Sequence, residues 1–509
     1  MTSTKNASHK RWALIATIIA SSMTFIDGTV VNVALPALQS SLNATITDVQ
    51  WVVEAYALFL GALILVGGSL GDQLGRKKVF LFGVIWFTAA SVLCGFAPNP
   101  LILIGGRALQ GIGAAFLVPG SLAIISATYD DAERGRAIGT WSGFSAITTA
   151  IGPVIGGWLV EHVSGRAAFF INVPLAVAVV MLSLAFVDES KDPSRGKTFD
   201  FVGVLAAVVG LSGVVLGLLE WPPLGATHPL VLGSLAIGVI ALVLLPVIES
   251  HRDDPMLPLG PFKSRAFSLA NVLTLFLYGA LGLMMFLLPM NLIQVQGFTP
   301  TAAGAALVPF AVIMFALSRW SGGLVERVGS RLPLTVGPAV TAVGFFLLAR
   351  SGVGHSYWSA FFPGIVVMGV GMTITVAPLT TTVMGAVDQR HAGVASGVNN
   401  AVSRIAGLLA IAVFGVVLTN RFESGLQPTL QKLDPSARAQ LQTEIPKLAG
   451  AKVSDPQTRT AVHASFVGAY RLVMLEMVGL ALLSAIAGAG IGETRKVKPT
   501  GESRSRQRA

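Results

Sequence analysis

The chain has 509 residues, of which only 12% are Asp, Glu, Lys or Arg and 53% are hydrophobic. Soluble globular proteins carry about 25% charged residues, so this composition excludes a large soluble enzyme, and the high apolar content excludes a disordered chain. The formal net charge of +10 would suit a protein that binds nucleic acid. The basic residues, however, fall in short clusters between apolar runs, which is typical of membrane proteins. No nucleic-acid partner is therefore expected.

Fourteen apolar runs are long enough to cross about 30 Å of hydrocarbon, which takes a helix of about 20 residues. They do not alternate as the strands of a membrane β-barrel would. The predicted spans are 12–33, 50–70, 79–97, 101–127, 137–161, 168–187, 200–219, 230–248, 267–290, 301–325, 332–350, 358–384, 391–419 and 466–489. The sequence thus predicts an all-α polytopic membrane protein with 14 transmembrane helices.

Lys and Arg in the loops predict that both termini are cytoplasmic, because cytoplasmic loops carry an excess of these residues. The first apolar run is too long for a cleavable signal peptide and carries Asp27. We expect a multi-pass protein of the cell (inner or plasma) membrane, with loop 420–465 outside as a partly helical or mobile cap. The basic tail 496–509 is expected to be disordered, and either to fix orientation or to contact anionic lipid.

One loop motif, Gly-x-Leu-x-acid-x-x-Gly-x-basic, occurs twice, 254 residues apart. The matching positions are Gly68, Leu70, Asp72, Gly75 and Lys77, with Arg76 beside them, and Gly322, Leu324, Glu326, Gly329 and Arg331. Eight spans separate the copies, which fits a duplicated six-span unit with two inserted spans. The predicted domains are 1–190, 191–255 and 256–495. Two related bundles around a central site are typical of secondary transporters.

The chemistry of this repeated loop favours a hinge or gate. Leu70 is expected to end its helix, and the glycines permit a tight reversal of the chain. The carboxylate of Asp72 can face a basic residue or the N-terminus of a neighbouring helix. The alternative is a basic loop that only sets orientation in the membrane, but its repetition in both halves favours the conformational role.

The first copy of the loop resembles the signature loop of the major facilitator superfamily. Segments 26–36, 107–111, 152–157 and 170–174 resemble further motifs of the fourteen-span drug:proton antiporters in that superfamily. The chain departs from the longer antiporter motif at Thr148, where a glycine is expected. The resemblance implies two six-helix bundles with two inserted helices, alternating access, and proton coupling through the motif that begins at Arg107.

The antiporter motif comprises Gly152, Pro153, Gly156 and Gly157. Proline removes a backbone hydrogen bond and bends the helix, and glycines let another helix approach closely. A rigid bend of this kind is a candidate seal against proton leak. The alternative is an ordinary glycine-rich packing surface.

Ionisable residues inside the spans are functional candidates, because a charge at membrane depth is costly. The acids are Asp27, Glu54 and Glu476, and the bases of interest are Arg107 and Arg404. At about 1.5 Å per residue, we expect Asp27 and Arg107 roughly 9 Å below the outer surface and Glu54 about 6 Å below it. Burial favours the neutral acid and a nearby Arg favours the carboxylate, so a balanced group can load and release a proton.

We therefore predict that Asp27 and Arg107 couple protons, while Asp27, Glu54 and Glu476 contact the substrate. For Asp27 and Arg107 the alternative is a static buried pair, and for Glu54 it is contact with lipid headgroups. Arg404 is a candidate for contacts with an anion or a gate.

The sequence predicts a proton-driven exporter of lipophilic, cationic small molecules. It is not expected to be an enzyme: there is no catalytic constellation, no metal spacing and no complete ATP-binding motif, so no cofactor is expected and the proton gradient supplies the energy. A proton-coupled uptake carrier for a metabolite is the nearest alternative. A membrane receptor or scaffold is the alternative from another class, and it leaves the buried charges unexplained.

The orientation can be tested by labelling a cysteine at Ser436 from outside the cell in a Cys94→Ala background, since Cys94 is the chain's single cysteine. We expect labelling of intact cells, because loop 420–465 is predicted to lie outside. Labelling that requires membrane disruption would contradict the orientation.

Overall fold

The computed structural model describes residues 2–191, 200–252, 255, 257, 259–387 and 392–492. The predicted tail 496–509 lies outside these residues. The helices are α1 Thr2–Leu42, α2 Ile46–Leu74, α3 Arg76–Gly95, α4 Pro100–Thr128, α5 Asp131–His162, α6 Ala167–Phe170, α7 Asn172–Phe186, α8 Phe201–Leu219, α9 Trp221–Leu224, α10 Pro229–Ser250, α11 Arg265–Met290, α12 Pro300–Ala305, α13 Val308–Gly322, α14 Leu324–Val328, α15 Arg331–Ala349, α16 Tyr357–Ala360, α17 Phe362–Gly385, α18 Ala392–Lys432, α19 Pro435–Glu444 and α20 Pro456–Ala489. Three tighter or wider helical segments are Gly260–Lys263, Asn291–Val295 and Ile445–Gly450.

Within these ranges, 14 helical segments are long and apolar enough to span a membrane, which confirms the predicted number. Several run beyond the predicted spans: α1 and α18 contain 41 residues each. Helix formation depends on backbone hydrogen bonds and continues into water until a residue or a cap ends it. Span bounds read from hydropathy alone are therefore too short.

Local capping chemistry sets where two of these helices begin. The side chain of Thr45 accepts a hydrogen bond from the backbone of Asp48, whose carboxylate accepts one from the backbone of Thr45. This capping box starts α2 at Ile46, four residues before the predicted span. Asn99 caps α4 by accepting from the backbone of Ile102, so α3 and α4 are separate helices, as the predicted spans 79–97 and 101–127 require.

The spans pack as two bundles with two helices between them. In the N-terminal bundle α4 packs on α2 and α3, while α1 packs on α5 and α7; in the C-terminal bundle α11, α15, α17, α18 and α20 pack on one another. The inserted helices α8 and α10 pack together, and α8 also contacts both α2 and α18. The inserted pair therefore lies beside the seam where the two bundles meet.

The two copies of the repeated loop share a backbone feature. Gly75 and Gly329 both have positive φ, at 123° and 77°, and each precedes the first turn of the next helix. Leu70 does not end its helix as predicted, because α2 continues for one more turn to Leu74. Gly75, which takes the conformation that other residues rarely adopt, ends α2 instead.

Loop 420–465 is largely helical: α18 extends through it to Lys432, and α19 and segment Ile445–Gly450 follow. We call this side of the molecule the cap end, and the opposite side, with the repeated loops, the tail end. Leu448 is fully buried and has φ of 52°, a conformation rare for residues other than glycine. Residues of segment Ile445–Gly450 contact α1 and α2 as well as α18 and α20. The cap thus touches both bundles.

Candidate functional site

Asp27 of α1 and Arg107 of α4 form an ion pair inside the N-terminal bundle. The guanidinium Nη1 of Arg107 donates to Oδ2 of Asp27, and the two side chains are 0–2% exposed. The structure brings these two residues together, about 22 Å from the cap end of α1, which continues to Leu42. The predicted depth of about 9 Å is counted from the membrane surface, not from the helix end, and stays a prediction.

Three neutral polar side chains complete the network around this pair. Gln110 donates to Oδ1 of Asp27 at 2.7 Å, and its Oε1 accepts from Arg107 at 2.7 Å. Asn172 of α7 donates to the same Oδ1 at 3.2 Å and to Ser91 of α3 at 2.9 Å. All three are fully buried. The carboxylate of Asp27 thus accepts from three donors.

The rest of the guanidinium is held by α2. Its Nε donates to the backbone carbonyl of Val52 at 2.9 Å. The ring of Tyr56 lies 4.2 Å from the guanidinium carbon, a cation–π contact, and the Tyr56 hydroxyl donates to the backbone carbonyl of Thr24. Residues from α1, α2, α3, α4 and α7 therefore meet at one buried charge.

Sequence reasoning missed Gln110, Asn172 and Ser91 as site residues. Gln110 and Asn172 stand inside two of the recognised motifs, so a signal was present: Gln110 lies one helical turn after Arg107, and Asn172 is the one polar residue of segment 170–174. Ser91 carries no such signal. Its role comes from its position, where it links the side chains of Gln110 and Asn172 and donates to the backbone carbonyl of Phe169.

Glu54 does not join this network. It is fully buried, and neither carboxylate oxygen has a hydrogen-bond partner among the described residues. The predicted alternative, contact with lipid headgroups, is therefore wrong. Gln50, one turn earlier, lies against Gly415, and Gly61, two turns later, lies against Ile405. Because these positions share one face of α2, Glu54 lies on the face that packs on α18 of the other bundle.

Arg404 approaches this seam from the opposite side. Its Cβ packs near Gly61 of α2, and its guanidinium carbon lies 5.9 Å from the ring of Phe25 on α1. Its Nε is buried without a described partner. The seam between the bundles therefore holds an unpaired acid and an incompletely paired base, whereas Asp27 and Arg107 inside the N-terminal bundle are paired with each other.

Glu476 lies elsewhere. It is half-buried on α20, a helix that packs on α11, α15 and α18 of its own bundle, and no described contact joins it to Asp27 or Glu54. Arg471, on the same helix, donates to the backbone carbonyl of Ser351. The structure thus separates the third predicted substrate contact from the other two.

The glycines of the antiporter motif pack against two different helices. A Cβ added at Gly152 would overlap the hydroxyl of Thr29, and one at Gly156 would lie 2.9 Å from Cα of Val30, both on α1. A Cβ at Gly157 would overlap the backbone carbonyl of Pro300 at the start of α12. Through this motif α5 packs closely both on α1 of its own bundle and on α12 of the other bundle.

Pro153 takes part in the same contact, because its carbonyl oxygen lies where a Cβ at Gly304 of α12 would stand. Each hydrogen bond that joins described residues of the two bundles also lies at the cap end. Lys447 and Gln294 bond to Gln39, and the backbone of Thr301 donates to Glu161. In this conformation the cap end is closed.

The first repeated loop holds its charges in local pairs. Arg76 donates to Asp72 at 2.9 Å, so the expected basic partner of this acid is present. The N-terminus of α3 is occupied by Glu189, which accepts from the backbone N–H groups of Lys77 and Lys78. Glu189, which sequence reasoning missed, thereby ties the loop to the end of α7.

The second copy is more open. The residues of α14, Leu324–Val328, are partly or fully exposed. Glu326 and Arg331 are exposed at the tail end, and no hydrogen bond joins either side chain to another described residue. The two copies thus share their backbone turn but differ in their charge pairing.

The chain matches the model of the Major Facilitator Superfamily over residues 17–411. It is 34% identical over 423 residues to "Multidrug resistance protein Stp" of Mycobacterium tuberculosis (strain CDC 1551 / Oshkosh), covering 83% of this chain and 78% of that protein. It is 30% identical over 502 residues to "Tetracenomycin C resistance and export protein" of Streptomyces glaucescens, covering 96% and 92%.

The fold agrees with these matches. A bacterial homologue of the human lysosomal transporter Spinster, solved in an inward-facing and unoccupied conformation, superposes with a TM-score of 0.69 at 16% identity, covering 95% of this chain and 98% of that one. The fold and the sequence matches define a membrane transporter of small molecules, not an enzyme. The chain belongs to the Major Facilitator Superfamily.

The glycine contact between the bundles yields a test. Gly157→Ala should force α5 away from the backbone of Pro300, because a backbone carbonyl cannot rotate aside as a side chain can. We expect the proton leak of proteoliposomes without substrate to rise several-fold. Gly143→Ala on the same helix is the matched control, since a Cβ there meets no atom within 4 Å. An unchanged leak in Gly157→Ala would contradict the proposed seal.

Proposed function

We propose that this chain exports lipophilic, cationic small molecules in exchange for protons. The relatives named for multidrug resistance and for tetracenomycin C resistance and export support export of drug-like molecules. The single observation that carries cation–proton exchange is the buried, unpartnered carboxyl of Glu54 at the seam between the bundles.

The argument for Glu54 is electrostatic. An isolated ionised carboxylate in an apolar interior is so costly that the group is neutralised instead. In the described structure no cation of the protein is bonded to Glu54, so a proton or a substrate cation has to supply the neutralisation. The two are then mutually exclusive at one carboxyl, which is the simplest physical basis of exchange.

Asp27 has a different part in the proposal. Its carboxylate accepts from Arg107, Gln110 and Asn172 in the cap-closed conformation. A proton on Asp27 would take the place of the hydrogen bond from Arg107. We therefore propose that Asp27 takes up its proton in a conformation in which this network is rearranged. Arg107, which stays protonated, then displaces that proton into the pathway when the pair re-forms as the cap end closes.

We propose that the seam between the bundles couples binding at Glu54 to proton exchange at Asp27. Glu54 lies where α2 packs on α18, so a ligand at Glu54 changes the contact between the two bundles directly. Only one side of the pathway can be open if the bundles rock against each other. We place Asp27 and Glu54 in the proposed substrate site and leave out Glu476, because its helix packs within the C-terminal bundle.

The finer localisation is also a proposal. Basic residues concentrate in the loops of the tail end, and cytoplasmic loops carry such an excess. We propose the cell membrane as the location, with both termini and the repeated loops in the cytoplasm and the cap outside. Protons and surrounding lipid are then the partners besides the substrate, and the proton gradient rather than ATP supplies the energy.

The role of Asp27 in coupling substrate export to proton movement can be tested. Asp27→Asn keeps the size of the side chain but cannot exchange a proton, so a proton gradient should no longer build a substrate gradient in proteoliposomes. One elementary charge moved through 100 mV is worth about 2.3 kcal/mol, so only downhill equilibration should remain. A preserved substrate gradient would exclude Asp27 as the obligatory carrier.

A folding control is needed, because breaking a buried pair by removing one partner costs about 3–5 kcal/mol. The double variant Asp27→Asn/Arg107→Gln removes both charges and leaves no uncompensated ion. It should fold more readily than the single variant and should also fail to couple. Active accumulation by a well-folded double variant would overturn the coupling role of the pair.

Glu54→Gln tests recognition of the substrate charge. Transport of a permanent lipophilic cation such as tetraphenylphosphonium should fall at least tenfold, about 1.4 kcal/mol, while transport of a neutral lipophilic drug persists. Because no ion pair is broken, the melting temperature should stay the same or rise. Glu476→Gln makes the same chemical change away from the seam and should alter neither the transport of the cation nor that of the neutral drug. Equal loss of both substrates would argue against charge recognition by Glu54.

The repeated loop is proposed to act as a gate at the tail end. Asp72→Asn weakens the pairing with Arg76 and should lower turnover about tenfold while expression and melting temperature hold. Glu326→Gln makes the matching change in the second copy, and a loss there as well would support a shared role. Unchanged turnover in a well-folded Asp72→Asn protein would reduce Asp72 to an ordinary loop acid.

A further inference from the structure

A cavity of about 450 Å³ opens at the cap end between the two bundles. Its walls come from the last turns of α1, from the segment that includes Gln294 and Pro300 of the C-terminal bundle, from the cap residues Lys447–Lys452, and from the first turns of α20. Ligand sites for small molecules typically have volumes of about 300–1,000 Å³. The cavity is therefore large enough for an organic molecule and lies apart from Asp27 and Glu54.

The charges that line this cavity all have one sign. Lys447, Lys452 and Arg459 contribute to its walls, and no Asp or Glu does. Among described residues, the ammonium of Lys452 and the guanidinium of Arg459 have no ion-pair or hydrogen-bond partner. Like charges that line one cavity repel one another. Lys452 and Arg459 are exposed, so water screens this repulsion, and an anion in the cavity would be attracted to both.

The neighbouring acids are already engaged. Glu444 accepts from the ammonium of Lys447 and from the backbone N–H of Lys452. Burial, which raises the pKa of Glu444, is outweighed by these hydrogen bonds, so that pKa lies below its usual value. Asp455 caps α20 by accepting from Thr458. Glu444 thus pairs with Lys447, and the charge of Lys452 also lowers the pKa of Glu444 without a direct bond between the two side chains. The side chains of Lys452 and Arg459 keep their donors free for a ligand.

The position of these cations argues against a role in orientation. Lys and Arg that set membrane orientation lie in short loops close to span ends on the cytoplasmic side, whereas these residues lie on the cap side of the molecule. Arg459 is in the first turn of α20. Amide groups of Gln39 and Asn43 also line the cavity and can donate hydrogen bonds.

We propose that the cap cavity is a binding site for an organic anion bearing a phosphate or carboxylate group, with Lys452 and Arg459 as its principal contacts. The anion comes either from solution or from the headgroup of an anionic lipid, since both present the same chemistry. This site does not depend on the proposed cation–proton exchange, because it shares no residue with that site.

Binding there would also act on the conformation. The walls belong to both bundles and to the cap, so the complete site exists only while the cap end is closed. A ligand that binds one conformation better shifts the population toward it. The bound anion therefore stabilises the cap-closed conformation, and its release accompanies opening.

The test uses the full chain, purified in detergent and stripped of lipid, with inorganic phosphate as the probe. Calorimetric titration at low salt, with chloride as the reference anion, should give saturable binding of phosphate. Lys452→Gln/Arg459→Gln should weaken it at least tenfold, and Lys452→Arg/Arg459→Lys, which keeps both charges, should restore it to within about threefold. Failure of the charge-keeping variant to bind while it remains folded would contradict the assignment.

The matched control removes the same charge from the same end of the molecule. Arg421 and Lys432 are exposed on α18 and do not line the cavity, so Arg421→Gln/Lys432→Gln should leave the phosphate affinity within about twofold. Equal weakening in both double variants would mean diffuse attraction rather than a site. Absence of saturable phosphate binding to the wild-type chain would also overturn the proposal.

Short-chain lipids then identify the source of the anion. Dihexanoyl phosphatidylglycerol binding at least tenfold more tightly than phosphate, with that advantage lost in Lys452→Gln/Arg459→Gln, would assign a lipid headgroup. Equal affinities for this lipid and phosphate would assign a soluble anion. Dihexanoyl phosphatidylcholine should not compete in either case, and competition by this zwitterionic lipid equal to that of phosphatidylglycerol would exclude an anion site.

Discussion

The ion pair between Asp27 and Arg107 is the interaction on which the N-terminal bundle depends. Moving two charges out of water costs several kcal/mol per ion, and their attraction offsets that cost only when further hydrogen bonds satisfy the remaining donors and acceptors. Gln110, Asn172 and the carbonyl of Val52 provide those bonds. The pair can exist only where these helices meet, so it fixes their mutual position.

The seam between the bundles has the opposite character. Asp27 and Arg107 inside the bundle are paired, but at the seam Glu54 has no described partner and Arg404 has an unpaired Nε. A packed, paired network resists rearrangement, whereas an unpaired group gains free energy from any ligand or conformation that satisfies it. The network around Asp27 and Arg107 therefore resists rearrangement, whereas the seam between the bundles can respond to a ligand.

The cap end adds a third environment. Backbone contact between Gly157 and Pro300 leaves no room for even a methyl group, so the two bundles meet there without intervening side chains. Just beyond this contact, the chain places several cations that the hydrocarbon layer would exclude. Charged side chains are tolerated at this level because water is near, and these cations line a cavity whose walls come from both bundles and the cap. The positively charged cavity therefore lies next to the contact that closes the cap end.

The repeated loops show what a shared sequence pattern does and does not dictate. Gly75 and Gly329 have positive φ in both copies, because the spacing of the motif requires a reversal that only glycine makes easily. The charge contacts differ: Asp72 pairs with Arg76 and Glu189 covers the next helix N-terminus, but no described contact engages Glu326. Contacts with residues outside the motif are set by the surrounding bundle.

The sequence by itself determined the fourteen helices, the duplicated loop and the short set of intramembrane charges, because apolar length, glycine spacing and the rarity of buried charge are properties of the chain. Depth from the rise per residue was enough to bring Asp27 and Arg107 together. It wrongly grouped Glu54 with them, because depth along a helix says nothing about the face on which a residue lies. Only the packing of α2 between α4 and α18 decided that Arg107 is bonded to the carbonyl of Val52 while Glu54, two residues on, turns to the other bundle.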